Sequence, residues 1–161
     1  MIRWLSFLFA TLIISGTLKA QEAVFPRFAS LRSDTVYMRS GPGERFPIEW
    51  VYKRKGFPVI ITDSFEHWHK VQDVENTQGW IHKTMLSGKR TALTPQNEKT
   101  ILYKKKNLNS KHLAYFNGQS IIQLLECFPH DIFCKVKYNE LKGYILKEKL
   151  FGLFKNEEID E

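Results

Sequence analysis

The feature that most constrains the fold is a sequence pattern that occurs twice. WHKVQDVENTQGWIHKTML at residues 68–86 is echoed by FCKVKYNELKGYILKEKL at residues 133–150. Both run aromatic-x-Lys-Val, then a polar turn, then Gly-aromatic-Ile, and both end on a Leu six residues after the second aromatic. Upstream, YKRKGFPVII is echoed more faintly by AYFNGQSIIQLL. Such self-similarity indicates two copies of one small structural unit; chance similarity between two β-rich halves is the alternative.

Short runs of β-forming residues dominate the chain from Phe28 onward. TVYMRS, EWVYKR, FPVIITDS, HWHKVQDV and GWIHKTML are rich in Val, Ile, Tyr and Trp, and Gly, Pro, Asn and Asp lie between such runs. Regularly spaced runs of this kind are typical of small barrels or sandwiches. Apart from a weak helical turn in VFPRFASL, no stretch shows a sustained helical period with both caps. The sequence therefore predicts an all-β fold.

The N-terminus has the pattern of an export signal. Arg3 precedes the apolar run WLSFLFATLIIS, and Leu18 and Ala20 stand before a predicted cut ahead of Gln21. The apolar run is shorter than the ~20 residues that a membrane-spanning helix needs, although an uncleaved anchor is the alternative. We therefore expect residues 1–20 to be a cleaved signal peptide. The mature protein would then be periplasmic or associated with the cell envelope, without stable membrane insertion.

The predicted mature chain is basic. Once Arg3 and Lys19 leave, the 24 basic and 17 acidic residues become 22 and 17, so the formal charge falls from +7 to +5. Outside the cytoplasm the matching acidic partners are membrane head groups, anionic wall polymers and acidic proteins, whereas export argues against nucleic acid. The alternative is that the lysines only keep the surface soluble and protect sheet edges.

Composition divides the mature chain into segments. SGKRTALTPQNEKT, at residues 87–100, is polar and contains one proline, which predicts a linker, or one edge strand with a turn. The last residues are acidic and predict a frayed tail. The expected boundaries are a first domain at 28–88, a linker at 89–98, a second domain at 99–155 and an acidic tail at 156–161.

The first copy resembles the bacterial SH3-like domain family. YMRSGPGERFPIEWVYKRKGFPVII is similar to that family's Val-Arg-x-Gly-Pro opening, a following aromatic residue, and a Lys-Gly turn before a hydrophobic strand. HWHKV is similar to its Trp-x-Lys-Val, and GWIHKTML to its closing Gly-Trp-Val strand with a final Leu. The resemblance covers roughly Ala29 to Leu86. The second copy keeps Lys-Val and Gly-aromatic-Ile but has YKKKNLNSKH in place of the Arg-x-Gly-Pro turn.

The resemblance implies two small, strongly bent SH3-like β-barrels in tandem, and a module that binds the cell wall or its peptides. Trp68 and Trp80 occupy the most regular positions of the family pattern, so we expect both in the core. The residues expected to have structural roles are Gly41, Pro42, Gly43, Gly56, Trp68, Gly79, Trp80, Gly143 and Tyr144.

Candidate ligand-binding residues flank the Gly-Pro-Gly sequence of residues 41–43. These glycines do not form a phosphate cradle, because no helix follows and their spacing fits neither nucleotide-binding loop. We interpret the segment as a turn beside a shallow groove, where aromatic rings pack on an extended peptide and an arginine binds a carboxylate. The predicted groove residues are Arg39, Arg45, Phe46, Trp50 and Tyr52. The alternative is that the aromatic residues fill the core.

Both cysteines lie in the second copy. Cys127 and Cys134 flank FPHDIF, whose Pro and Asp suggest a hairpin loop. In an exported protein a disulfide is the default expectation, and two free buried thiols are the alternative.

The remaining side chains predict neither a metal site nor a catalytic site. His67 and His69 are expected on one face of a strand with Trp68 on the other, with His82 two strands away. Zinc needs three or four closely arranged ligands, so we interpret the histidines as solvent-facing neighbours of a core tryptophan. No nucleophile elbow or metalloprotease motif occurs, and the carboxylates are scattered. We therefore expect no enzyme activity, cofactor or metal.

Together these features predict a non-enzymatic exported protein that binds a peptidoglycan peptide or an envelope protein. The alternative is a structural or regulatory adaptor that binds a periplasmic protein through a sheet edge or the aromatic patch, without affinity for the cell wall. Because the second copy lacks the Arg-x-Gly-Pro turn, we expect one working site.

Overall fold

The computed structural model describes residues 24–160, which form two antiparallel β-sheets, one after the other along the chain. Helical structure in this range is limited to two single 3-10 turns, Lys83–Met85 and Lys147–Lys149. The predicted all-β fold is confirmed. Within residues 24–160 no helix has the length and apolar character needed to cross a bilayer. The predicted signal peptide, residues 1–20, lies outside the described residues.

The first sheet contains seven strands in the order β3-β2-β6-β5-β4-β1-β7. Alternation decides its faces: on β2, Val36 and Met38 are buried while Tyr37 between them is exposed. We call the buried side the inner face and the other side the outer face. The strands are β1 (Arg27–Leu31), β2 (Val36–Arg39), β3 (Ile48–Tyr52), β4 (Pro58–Phe65), β5 (Trp68–Gln72), β6 (Gln78–His82) and β7 (Leu86–Ser87).

The second sheet repeats the topology of the first. Its order is β10-β9-β13-β12-β11-β14, and β8 also pairs with β11. Read in chain order, β8 to β13 therefore occupy the positions that β1 to β6 occupy in the first sheet. The strands are β8 (Thr91–Leu93), β9 (Lys99–Tyr103), β10 (His112–Asn117), β11 (Ile121–Cys127), β12 (Phe133–Tyr138), β13 (Leu141–Leu146) and β14 (Ile159–Asp160).

The repeated Gly-aromatic-Ile sequence has the same structural cause in both halves. A Cβ at Gly79 would lie 2.9 Å from the carbonyl oxygen of Arg39, and a Cβ at Gly143 would lie 2.6 Å from the carbonyl oxygen of Tyr103. In each half this oxygen belongs to the neighbouring strand, β2 or β9. A side chain at either glycine would push these paired strands apart, so both positions require glycine.

Each half has its own apolar core. The first core includes Val36, Met38, Val59, Ile61, Val71 and Ile81. The second includes Leu102, Ile122, Leu124, Val136 and Ile145. Strand β8 serves both cores, because Leu93 packs into the first and Ala92 into the second.

The segment predicted as a linker, residues 89–98, contains this buried strand β8. Its pairing with β11 matches the edge-strand interpretation of that sequence. Contacts between the halves continue beside β8: the Thr91 hydroxyl donates a hydrogen bond to the Gly56 carbonyl oxygen at 2.6 Å. The guanidinium of Arg54 donates to both the side-chain and the backbone oxygen of Gln119. The exact domain boundaries stay a prediction.

The C-terminal segment is held in place, so the expectation that residues 156–161 are frayed is wrong for its described part. Ile159 on β14 is buried in the second core and pairs with Cys127 of β11. Glu157 forms a salt bridge with Arg90. Four acidic residues among the six of this segment suggest solvation, whereas the buried Ile159 among them holds the segment against the second core.

The predicted disulfide is present in the structure. Cys127 at the end of β11 and Cys134 on β12 are bonded, with their Cα atoms 4.6 Å apart. Both side chains are fully buried in the second core.

Removing this disulfide should destabilise the second half. For the double variant Cys127→Ala/Cys134→Ala we expect a loss of about 2–3 kcal/mol in the free energy of unfolding, because the bond limits the freedom of the unfolded chain even when the closed loop is short. Urea unfolding followed by circular dichroism measures this loss, with the wild type in reducing buffer as control. Equal urea midpoints for the double variant and the oxidised wild type would contradict the prediction.

Candidate functional site

A cleft of about 370 Å³ opens on the outer face of the first sheet. It lies where β2, β5 and β6 present their outward side chains, next to the turn Lys83–Met85. Its walls are formed by Thr35, Tyr37, Arg39, Glu44, Trp68, His82, Thr84 and Met85. The position is open to solvent and lined by both aromatic and charged groups.

The strand register explains why these side chains meet. Residues directly opposite each other on antiparallel strands point to the same face. Arg39 of β2 stands opposite Trp80 of β6, and Trp80 stands opposite Lys70 of β5. Trp80 therefore lies on the outer face, where it is partly exposed. The expectation that Trp80 belongs to the core is wrong, because its neighbour Ile81 takes the inward position.

Trp68 is buried, as predicted, but from the outer side of the sheet. It stands opposite His82, and the two rings meet edge-on with their centroids 5.2 Å apart. Only 9% of Trp68 is exposed. The buried ring of Trp68 therefore forms one aromatic wall of the cleft.

The Gly-Pro-Gly loop borders the cleft and is braced by its own residues. Arg39 donates through Nη1 to the carbonyl oxygens of Glu44, at 3.0 Å, and Phe46, at 2.7 Å. The ring of Phe46 covers Gly41, where a Cβ would lie 2.5 Å from the ring. The Arg45 guanidinium lies 5.2 Å from the centre of the same ring. Arg39 and Phe46 thus fix the shape of the loop.

The structure separates the five residues predicted to line one groove. Arg39 lines the outer-face cleft, whereas Phe46 and Arg45 are used within the loop. Trp50 stands opposite the inward-pointing Met38 and is 49% exposed at the open edge of the sheet, away from the outer face.

Tyr52 is a core residue. It is 5% exposed and stands opposite the buried Val36. Its hydroxyl donates a hydrogen bond of 2.9 Å to Asp73 Oδ2. Burial, and then this contact with Asp73, raise the pKa of Tyr52 far above its usual value. Because its ring and hydroxyl are both occupied, Tyr52 is not available to a ligand on the surface.

The cleft includes residues that the sequence analysis missed. Tyr37, which is 50% exposed, is the largest exposed side chain on β2. Alternation within TVYMRS places Tyr37 and Arg39 on the same face, and this signal was available in the sequence. Glu44 and His82 were not predictable as partners, because a loop and a distant strand bring them to β2.

The cleft carries charges of both signs. Arg39 and Glu44 stand on its walls, and the Nδ1 atom of His82 lies 2.7 Å from the Thr84 hydroxyl oxygen. Among the hydrogen bonds of residues 24–160, Arg39 uses only Nη1 of its guanidinium. Its Nη2 group remains a donor for a carboxylate. A ligand with both a carboxylate and an amine suits this arrangement.

The corresponding position in the second half holds a smaller cleft, of about 190 Å³, whose lining includes Tyr103 and Leu146. Tyr103 is the residue of β9 that faces the aromatic of Gly-aromatic-Ile, as Arg39 does in the first half. Tyr103 is buried, and its ring meets Phe133, the counterpart of Trp68, edge-on with centroids 5.7 Å apart. The expectation of a single working site stays a prediction. The buried Tyr103 in place of Arg39 favours it.

His69 points inward and is 8% exposed, so the interpretation of it as a solvent-facing histidine is wrong. Burial, followed by the charges of Arg27 and Lys83, lowers the pKa of His69 below its usual value, which favours the neutral ring. In the part of the chain that the structure describes, no three potential metal ligands are grouped together.

Comparison with solved structures finds NlpC2 and NlpC1 of Trichomonas vaginalis. NlpC2 is 17% identical, with a TM-score of 0.36 over 80% of this chain and 48% of its own. NlpC1 is also 17% identical, with a TM-score of 0.35 over 81% of this chain and 47% of its own. The chain thus spans about half the length of these proteins. Comparison with curated proteins finds no match.

The family match covers the half of the structure that contains the open cleft. Residues 32–88 match the model of the bacterial SH3 domain. This segment begins directly after β1 and ends directly after β7. The match ends before β8, so membership of the second half stays a prediction, although its topology repeats that of the first. Over residues 32–88 the chain is therefore similar to the bacterial SH3 domain family.

Proposed function

We propose that this protein is a non-enzymatic cell-wall-binding protein that recognises the peptide part of peptidoglycan in its outer-face cleft. The observation that carries the proposal is the cleft itself, an open site with exposed Tyr37, buried Trp68 and charges of both signs. Concave sites with an apolar wall and a few polar groups are the usual form of ligand sites.

The chemistry of the cleft fits a short peptide that carries both charges. Arg39 offers its remaining donors to a ligand carboxylate, and Glu44 offers an acceptor to a ligand amine. The rings of Tyr37 and Trp68 provide apolar surface for the aliphatic parts between these groups. Peptidoglycan peptides carry carboxylates, amines and short aliphatic side chains. The bacterial SH3 match and the predicted export support this class of ligand.

The contact between His82 and Thr84 in the cleft is a helix cap. The backbone N–H of Thr84 donates to His82 Nδ1 at 3.4 Å, which caps the turn Lys83–Met85. A nucleophilic threonine would need a base oriented by a third polar group. We therefore assign these residues a structural role beside the ligand.

Replacing Tyr37 by alanine should weaken binding to isolated peptidoglycan sacculi at least fivefold. Tyr37 is 50% exposed in the cleft, so its removal takes away ligand contact at little cost to the core. Tyr115→Ala is the matched control, because Tyr115 is also 50% exposed but lies on β10 of the second sheet. Cosedimentation of the purified protein with sacculi at several concentrations gives both affinities. Equal loss in the two variants would contradict the cleft as the site.

The open edge of the first sheet favours a second candidate function, an adaptor that binds another envelope protein. Strand β3 is the edge strand, and Ile48, Trp50 and Val51 on it are 44%, 49% and 40% exposed. An extended segment of a partner can add to such an edge as a further strand. Failure of the wild type to sediment with sacculi, together with cross-linking to one dominant envelope protein that Trp50→Ala abolishes, would favour this function.

A further inference from the structure

A second cavity, of about 510 Å³, lies between the two halves of the molecule. The first half contributes Arg32 and Lys55, the connecting segment contributes Lys89, and the second half contributes Gln123 and Lys137. Both halves are therefore needed to form it. The cavity is separate from the outer-face cleft, with which it shares no lining residue.

The charges around this cavity are all positive. Arg32, Lys55, Lys89 and Lys137 line it, and no aspartate or glutamate does. None of these four side chains takes part in a salt bridge within residues 24–160. Four other basic residues of the described chain do pair with carboxylates, in the pairs Arg90–Glu157, Lys106–Asp131, Lys135–Glu126 and Lys149–Glu98.

Two side-chain hydrogen bonds order part of the cavity wall. Arg32 donates from Nε to the Leu86 carbonyl oxygen at 3.0 Å, which positions the guanidinium and leaves both of its Nη groups for a ligand. The Ser30 hydroxyl donates to the Lys89 carbonyl oxygen at 2.8 Å, which fixes the backbone at that lysine. A site that is already ordered loses less freedom when a ligand binds.

Four cations around one concave surface repel each other and focus a positive potential into it. An anion relieves that repulsion. The guanidinium fork matches two oxygens of a phosphate group, and lysines act as point charges on phosphates. We propose that the cavity between the halves binds a ligand that carries two or more phosphate groups.

The probe is inorganic tripolyphosphate. Isothermal titration calorimetry measures its binding to the chain from Gln21 to Glu161, which contains every described residue. We expect binding to the wild type and at least tenfold weaker binding to the triple variant Lys55→Gln/Lys89→Gln/Lys137→Gln. Lys55 and Lys89 are exposed and Lys137 is partly exposed, so the variant should fold.

The matched control is Lys104→Gln/Lys105→Gln/Lys111→Gln. These lysines are exposed on the loop between β9 and β10, outside the cavity, and the control loses the same net charge. It should bind tripolyphosphate as the wild type does. Equal weakening in the two triple variants would show general attraction to a basic chain and overturn the proposal, as would the absence of binding to the wild type.

A second arm distinguishes the source of the phosphate. Vesicles of phosphatidylcholine with 30% phosphatidylglycerol present phosphate at a lipid surface. Cosedimentation that the cavity variant loses and the control keeps assigns the site to lipid head groups. Tripolyphosphate binding without such cosedimentation assigns it to a soluble or polymer-borne phosphate. Sacculus binding through Tyr37 is independent of both arms, because that residue lies in the other cleft.

Discussion

The variant Gly152→Ala should be at least about 3 kcal/mol less stable than the wild type. A Cβ at Gly152 would lie 2.2 Å from the carbonyl oxygen of Thr91 and 2.7 Å from the Cα of Ala92. Both atoms belong to the backbone of β8 and cannot rotate away as a flexible side chain would. The φ of +145° at Gly152 adds backbone strain for any other residue.

Gly88→Ala is the control for this prediction. No atom lies within 4 Å of a Cβ placed at Gly88, and its stability should change by less than about 0.5 kcal/mol. Thermal unfolding followed by circular dichroism compares the two variants with the wild type. Equal unfolding temperatures for Gly152→Ala and Gly88→Ala would contradict the prediction. They would show that β8 and the segment after β13 separate easily.

Asp73→Ala should cost about 3–4 kcal/mol of stability. The carboxylate of Asp73 is buried and accepts three hydrogen bonds of 2.9 Å, from the backbone N–H of Glu75 and of Thr77 and from the Tyr52 hydroxyl. Its removal leaves these donors without their partner, and the buried Tyr52 hydroxyl cannot turn to water. The turn between β5 and β6 then loses the carboxylate that accepts hydrogen bonds from its backbone.

Two further variants isolate the contributions to this network. Tyr52→Phe removes one donor and leaves the turn intact, so we expect a loss of only about 1 kcal/mol. Asp63→Ala removes an exposed carboxylate that accepts only from the neighbouring Ser64 N–H, and it should change stability by less than about 0.5 kcal/mol. Urea unfolding gives all three values. A loss from Asp73→Ala no larger than that from Asp63→Ala would contradict the assigned role.

The repeated sequence pattern and the alternation of apolar and polar residues were enough to predict most of the fold. Gly79 and Gly143 mark the same point in both halves because each lies against a backbone carbonyl of the adjacent strand. The alternation also placed Tyr37 and Arg39 on one face. Trp80 was assigned wrongly because its size suggested burial, although a strand cannot turn both Trp80 and Ile81 inward.

The site was harder to predict than the fold because it depends on register. The predicted groove grouped Arg39, Trp50 and Tyr52 by their nearness in sequence. In the structure Trp50 stands opposite Met38 and Tyr52 opposite Val36, both inward-pointing residues, whereas Arg39 points to the other face. The register between two strands decides which of their side chains share a face, and composition does not reveal that register.

Strand β8 joins the two halves of the molecule because it contributes a residue to each core. Neighbouring residues, Ala92 and Leu93, belong to different cores, so the border between the halves runs through a strand and not through a tether. A fragment ending at residue 88 would lack Leu93, which would leave a cavity in the first core. The segment that is similar to the bacterial SH3 domain, residues 32–88, is therefore shorter than its folding unit. Separating the two halves would therefore expose apolar surface of both cores.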